Sequence, residues 1–233
     1  MQSRTGKKWS PMDADKPVVK RERPQRADGE ATRNRILDAA GQLIAARGRM
    51  EATNTLIAAE AGVDLASINY HFGNRDGLYQ AVLAEAHRRV VDRKELEELA
   101  KSDLPARDKL KKVIALMIAR ATAEAHWPMV VLGREVLSPT THIQVLQRDE
   151  IFPKLEILQS VLSEITSIPV DDPALWRCLP SVAAPCAVFL LLGQINSPLS
   201  KNLFSGTQDE IVEHLYQFAL GGLENVARLY QLR

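Results

Sequence analysis

Residues 53–79 read TNTLIAAEAGVDLASINYHFGNRDGLY. Two short helices joined by a tight turn account for this stretch, and a further helix opens just after it. Thr53 or Asn54 can cap the first helix, which carries Ile57, Ala58 and Ala61 on one face. Gly62 suits the turn because it tolerates positive φ without a Cβ clash. Asp64 can accept hydrogen bonds from the first free amides of the second helix, Leu65 to His71. Gly73 and Asn74 end that helix. Its polar side chains share one face, the layout of a helix-turn-helix whose second helix lies in the DNA major groove.

Toward the N-terminus, Ile36, Ala40, Leu43 and Ile44 give one apolar helical face, and Gly48 is a left-handed cap. Ile57, Ala58, Ala61, Val63, Ile68, Phe72 and Leu78 complete the core of a small three-helix unit. Residues 1–28 read as a disordered basic arm, with Pro11, Pro17 and Pro24 and eight Lys/Arg against four Asp/Glu, a local charge of 8 − 4 = +4. Such an arm follows DNA phosphates or enters the minor groove, or is only a solvated tail. Residues 30–76 hold five Lys/Arg against six Asp/Glu, so this unit is not itself strongly basic.

Toward the C-terminus nearly everything reads as helix. One long helix is expected from about Arg75 to Ala100, with Gly77 inside it either loosening the helix or allowing close packing. The next expected helices run from Pro105 to about Ala125, from Pro128 to Pro139 and from Thr140 or Thr141 to about Ser167. Pro153 should kink or split the last of these. Asp171, Asp172 and Pro173 start a helix to about Asn196 that contains Pro180 and Pro185, and a final helix begins near Gln208 after the loop SPLSKNLFSGT. No stretch alternates as strands do. The expected fold is all-α, with about nine helices.

The chain has 233 residues, 45% hydrophobic and 25% charged, with a net charge of +1, ordinary values for a globular protein. Nucleic-acid affinity must therefore come from a local patch. The most apolar run, Val182 to Ile195, is shorter than the ~20 residues of a membrane span. With no apolar signal segment, a cytoplasmic location is expected. Cys178 and Cys186 lie eight apart, roughly 12 Å on a helix, too far to bridge, and read as buried thiols. No glycine-rich phosphate loop, nucleophile elbow or H-E-x-x-H occurs, and His71, His87, His126, His142 and His214 lack ligand spacing. No catalytic residue, metal site or cofactor is expected.

The stretch LIAAEAGVDLASINYHFGNRDGLYQAVL, residues 56–83, resembles the TetR family of transcriptional regulators. The shared elements are IAAEAGV, a polar cap at Asp64, INYHF, and GNRDGL. LASINYHFGNRDGLY, with Asn69 where a tyrosine is usual, and VVLGREVLSPT, an Arg-Glu segment ending in Ser-Pro, resemble the CecR-like branch. The sequence departs from the family near Thr55, where many relatives carry a basic residue, and at Arg75, where lysine is usual.

The resemblance implies a DNA-binding domain at 29–75 and an effector-binding and dimerisation domain at 76–233. Candidate DNA-contacting residues are Thr53, Asn54, Thr55, Leu65, Ala66, Ser67, Asn69, Tyr70, His71 and Arg75. Of these, Thr53, Tyr70, His71 and Arg75 suit phosphate, and Leu65, Ala66, Ser67 and Asn69 suit base edges; Asn69 suits phosphate as well, and a packed helix-end histidine is the competing reading of His71. Arg33 and Arg35 read first as surface charges and second as phosphate ligands. Candidate effector-pocket residues are Met117, Trp127, Met129, Trp176 and Phe189 as walls and His126, Arg134, Glu135 and Gln194 as anchors. For each of these, core packing or an ion pair is the competing reading. Arg134 and Glu135 point about 100° apart, so each needs a partner on another helix.

The implied partners are operator DNA, a second copy of the chain and an unknown small-molecule effector. A dimer sets two reading helices ~34–36 Å apart. The stripes Ala183, Ala187 and Leu190, with Leu191 and Gln194 beside them, and Leu215, Phe218, Leu223 and Val226 are the expected dimer faces. Three functions compete: a ligand-released repressor, a DNA-binding regulator without small-molecule effector, and a helical ligand-binding protein or enzyme.

Overall fold

The computed structural model describes residues 23–121, 127–193, 195 and 197–232. Among the described residues the secondary structure is helical, as the patterning requires. The elements are α1 (Arg23–Arg47), α2 (Asn54–Ala61), α3 (Leu65–Phe72), α4 (Arg75–Val90), α5 (Arg93–Lys101) and α6 (Ala106–Ala121). There follow α7 (Trp127–Leu137), α8 (Ile143–Leu146), a π turn (Gln147–Ile151), α9 (Phe152–Thr166), α10 (Pro173–Leu192), α11 (Pro198–Leu203) and α12 (Gln208–Gln231). The expected basic arm falls outside the described residues up to 22, and α1 opens inside its last part, at Arg23.

The elements beyond the nine or so expected come from local breaks. The helix expected from Arg75 to Ala100 is two helices, because Asp92 leaves the helical conformation and caps α5, accepting from the amides of Lys94 at 2.8 Å and Glu95 at 3.1 Å. Pro153 does not end its helix: the backbone stays right-handed helical at Leu146, Gln147, Ile151 and Phe152, and a π turn widens the chain just before the proline. Pro180 and Pro185 do not end α10. The residues four positions before them, whose carbonyls a proline cannot bond, are Trp176 and Ser181, and both are exposed. The loop after α10 holds α11, which Ser197 caps by accepting from the Ser200 amide at 3.1 Å. Thr207 and Glu210 form a reciprocal capping box that starts α12.

Two cores result. The first gathers Ile36, Leu37, Ala40 and Ile44 of α1 with Ile57, Ala58 and Ala61 of α2, Ile68 of α3, and Leu78, Tyr79, Val82, Leu83 and Ala86 of α4. Val63 and Phe72 pack at its edge. Trp127, Val131 and Leu146 belong to the same core, so it runs across the boundary expected at residues 75–76. The second core joins α6, α9, α10 and α12 through Ile114, Ile118, Val161, Leu162, Leu175, Leu179, Leu215 and Leu223. Cys178 and Cys186 are free thiols inside it, and burial pushes Cys186 up to about 11. A third, small cluster bridges the two, with Val90 and Leu190 at its centre and Met117, Met129 and Leu132 packed on it.

The C-terminal end of α4 is held by buried polar groups. Lys154 is 2% exposed, and its Nζ lies 2.8 Å from His87 Nδ1 and 3.0 Å from Glu150. Burial, then the lysine charge, pushes His87 down to about 3, so the ring is neutral and accepts from the ammonium.

α7 packs on both α1 and α4. A Cβ built on Gly41 would overlap the indole ring of Trp127, which is 4% exposed. Only glycine allows this approach, and the Arg89 guanidinium covers the ring at 5.1 Å from its centroid. Gly41→Ala is therefore expected to destabilise the protein by about 1–3 kcal/mol through overpacking. Denaturant unfolding checks this: a midpoint equal to that of the unsubstituted chain would show that α1 and α7 are not in close contact.

Candidate nucleic-acid interface

The turn between α2 and α3 is built from its caps. The Thr53 side chain accepts from the Leu56 amide at 3.3 Å and starts α2. Gly62 ends it at φ 62°, in the left-handed region where a Cβ is disfavoured. Asp64 then starts α3, its Oδ1 accepting from the Ser67 amide at 2.7 Å and the Ser67 hydroxyl at 2.6 Å. These two bonds, the hydroxyl's first, hold the Asp64 carboxyl below its ordinary 3.8. Asn74 caps α4 by accepting from the Gly77 amide at 2.8 Å. The Phe72 carbonyl occupies the space a Gly77 Cβ would need, so this glycine serves close packing.

α3 buries Ile68 and turns Leu65, Ala66, Asn69 and Tyr70 outward, with Tyr70 85% exposed. Thr53 and Thr55 of the neighbouring helix start are exposed beside them. Ser67 and His71 are half-buried, the first tied to Asp64 and the second in ring contact with Tyr70 and Phe72. Asn54 is half-buried, and its side-chain oxygen is buried without a hydrogen-bond partner. Arg75 turns toward the protein: its Nη2 donates to the carbonyls of Arg49 at 2.5 Å and Met50 at 3.0 Å. Arg33 lies over the Phe72 ring, 5.4 Å from its centroid, which sets a cation beside the end of α3.

Sequence reasoning missed Arg49. It pairs with Asp76 at 2.5 Å and covers the Tyr79 ring at 4.7 Å, so the turn after α1 is fixed to the start of α4. The only sequence signal is an Arg after a helix-ending glycine, which is common on solvated turns.

The residues expected as an effector pocket are not gathered at one place. Met117 lines an apolar cavity of about 30 Å³ between α6, α9 and α10. Met129 packs by Val90 and Leu190, and Phe189 faces the Phe204 ring at 5.8 Å. Trp176 lies on the outer face of α10, 42% exposed. Trp127 is under α1. Arg134 Nη1 donates to the Ile44 carbonyl at 2.6 Å. Glu135, 1% exposed, accepts from the Tyr79 hydroxyl at 2.8 Å and from the Thr140 amide and hydroxyl at 2.9 and 2.7 Å. Each of the two adjacent residues thus finds its partner on another element. His126 and Gln194 lie outside the described residues.

The outer face of α10 and α12 exposes several apolar side chains among polar ones such as Arg177 and Ser181. Trp176, Ala184 and Val188 on α10 and Phe218, Gly221, Gly222, Val226 and Leu229 on α12 are exposed, Phe218 at 72%. A groove of about 340 Å³ runs between them, lined by Arg177, Cys178, Phe218 and Gly222 among others. Leu190, Leu215 and Leu223, expected on this face, are buried inside the protomer, so the exposed stripes are rotated from those read in the sequence.

Comparison with known proteins gives matches over both halves. Residues 36–82 match the bacterial regulatory proteins of the tetR family, and residues 106–223 match the C-terminal domain of the HTH-type transcriptional dual regulator CecR. The HTH-type transcriptional regulator SrpR of Pseudomonas putida is 43% identical over 58 residues, 25% of this chain and 27% of SrpR. TtgW of Pseudomonas putida is 41% identical over 58 residues, 25% of this chain and 43% of TtgW. Among solved structures, a transcriptional regulator from Pseudomonas aeruginosa PAO1 superposes with a TM-score of 0.67 at 19% identity, covering 89% of this chain and 97% of that one. FadR from Bacillus subtilis, solved in complex with stearoyl-CoA, gives 0.63 at 19% identity, covering 81% and 98%. At these identities the structures establish the fold.

The lowered carboxyl at Asp64 has a pH consequence. The unfolded carboxyl takes its proton first as pH falls, so the cap's contribution is complete above 3.8 and is lost as pH falls through the lower folded value. Asp64→Asn keeps an accepting cap without titrating. Thermal unfolding between about pH 6 and about pH 3 should therefore fall less steeply in Asp64→Asn than in the unsubstituted chain. Parallel curves would remove the cap from the acid response.

Proposed function

The chain belongs to the TetR family of transcriptional regulators, with a CecR-type C-terminal domain, and on that premise we propose that it is a homodimeric repressor released from a palindromic operator by a small molecule. It is a DNA-binding regulator by family; dimer, repression and release are the proposed parts. The observation that carries the dimer is the exposed apolar face across α10 and α12. Exposing Trp176, Val188, Phe218, Val226 and Leu229 on two adjacent helices is costly in water, and a second copy covers them by two-fold symmetry.

This also accounts for α10, which by length and composition alone is apolar enough to cross a membrane. One side of it, with Leu175, Cys178, Leu179 and Cys186, packs in the second core. The other side faces the partner, and the protein works in the cytoplasm, where the chromosome is.

On the DNA side, Thr53, Thr55 and Tyr70 meet phosphate, and Leu65, Ala66 and Asn69 face base edges. Tyr70 is the strongest candidate because its hydroxyl stands clear of the protein. Ser67 reads bases with its lone pairs, since its proton is given to Asp64. Arg75 acts as a clamp on the turn after α1.

The effector would enter between α6, α9 and α10. The cavity there is lined by Leu110, Ile114, Met117, Leu162, Leu179 and Cys186 among others, with no charged group. Its occupant is therefore lipophilic, and Met117 is the adaptable wall. The small volume, about 30 Å³, favours a second reading as well: a regulator that takes no small molecule and is gated by a protein partner or is constitutive.

Selection of bound genomic DNA followed by sequencing tests the proposal. A palindrome near the protein's own gene is expected, and a lipophilic ligand that releases it selects the first reading over the second. Tyr70→Ala should weaken operator binding about ten-fold or more with unchanged thermal unfolding; equal affinity would remove Tyr70 from the contact set. Phe218→Asp should convert the dimer to a folded monomer by sedimentation and abolish tight operator binding, because the carboxylate would be buried without a partner. A Phe218→Asp dimer would place the interface elsewhere.

A further inference from the structure

α7 stands between the two parts whose relative position decides which DNA fits. One side of it meets α10, where a Cβ on Gly133 would touch Leu191 at 3.4 Å and where Leu132 packs at the Val90–Leu190 cluster. The other side meets α1 and α4, and there two consecutive residues do different jobs. Arg134 donates to the Ile44 carbonyl in the last turn of α1, 2.6 Å away, and so holds the end of the helix that backs the reading unit. Glu135 is 1% exposed and spends both oxygens: Oε2 on the Tyr79 hydroxyl of α4, Oε1 on the amide and hydroxyl of Thr140. Burial and then the Glu135 contact push the Tyr79 hydroxyl up, so it stays protonated and donates.

Tyr79 is itself covered by Arg49, which pairs with Asp76, and its ring meets that of His142 at 5.5 Å. The carboxylate therefore ties α4 to the turn after α7, while the guanidinium ties α1 to α7. Since α1 and α4 carry α2 and α3, these two side chains orient the reading helix with respect to α10.

We propose that Arg134 and Glu135 are specificity-determining residues for operator spacing: they fix the separation of the two reading helices without touching DNA. This rests on the dimeric-repressor reading above. The physical requirement is strict. One base pair at the centre of a palindrome moves a half-site by about 3.4 Å along the axis and turns it by about a tenth of a helical turn. A joint made only of apolar packing slides over such distances more readily than one pinned by directional hydrogen bonds, because buried unpaired donors and acceptors are costly.

The test uses the full-length protein and synthetic duplexes carrying the selected operator, with one base pair added to or removed from its centre, together with a duplex holding a single half-site. The unsubstituted chain should bind the native spacing about ten-fold or more tighter than either altered duplex. Arg134→Met keeps the stem and loses the bond to Ile44. Glu135→Met keeps a stem of similar length and loses all three bonds. Both should lose most of the spacing preference, with affinity for the native spacing lowered about ten-fold and half-site affinity within about two-fold. Tyr79→Phe removes one hydroxyl from a retained ring and should move the preference in the same direction even if the charged variants fold poorly.

Variants that keep the full spacing preference overturn the proposal, and so do variants whose half-site binding falls in step with the rest. Failure of the unsubstituted chain to bind any palindrome would instead overturn the dimeric-repressor reading, and the proposal with it.

Discussion

Trp127 occupies the space that any side chain on Gly41 would need, and the joint between the two halves of the molecule depends on that contact. The indole is flat and large, so it removes much apolar surface from water while letting α7 lie close to α1. That closeness brings Arg134 within hydrogen-bonding distance of the Ile44 carbonyl and sinks Glu135 beside Tyr79. Arg89 completes the enclosure, bonding Asp38 on α1 at 2.6 Å while covering the ring. Loosening the packing would leave several polar groups buried without partners, so the apolar and polar parts of the joint stand together.

The reading unit uses its polar groups sparingly. Its caps at Thr53, Asp64 and Asn74 satisfy amides that have no partner inside a helix. Two of the residues with obvious DNA chemistry, Ser67 and Arg75, are partly spent on the protein itself. What stands clear of the surface carries no charge: Ala66, Asn69, Leu65 and above all Tyr70. A face of this kind with little net charge fits DNA by placement more than by bulk attraction.

The helix-turn-helix was legible because each of its signals is local. A cap three residues before the amide it binds, a glycine where φ must be positive and an apolar residue once per turn are all readable from neighbours in sequence. The distortion before Pro153 and the two buried thiols were legible for the same reason. The extra break at Asp92 was readable in principle as a helix-starting aspartate, and the run of good helix formers around it hid it. The candidate pocket was not legible. Met117, Trp127, Arg134, Glu135 and Trp176 have similar sequence contexts on apolar helices, yet they end in a cavity lining, an interhelical joint and an outer face.

The reason is that an apolar helix has more than one apolar side. On α10, both Leu190 and Val188 satisfy the pattern, and only packing against α4, α6 and α7 decides that Leu190 goes in and Val188 stays out. On α7, the sequence requires that Arg134 and Glu135 point apart, and it cannot name Ile44 and Tyr79, 90 and 56 residues away, as their partners. By itself the sequence determined an all-helical chain, its capped reading helix and its family, since those follow from short-range backbone hydrogen bonding and periodicity. The tertiary structure alone decided which faces meet, because burial and long-range hydrogen bonds exist only once the helices are placed against one another.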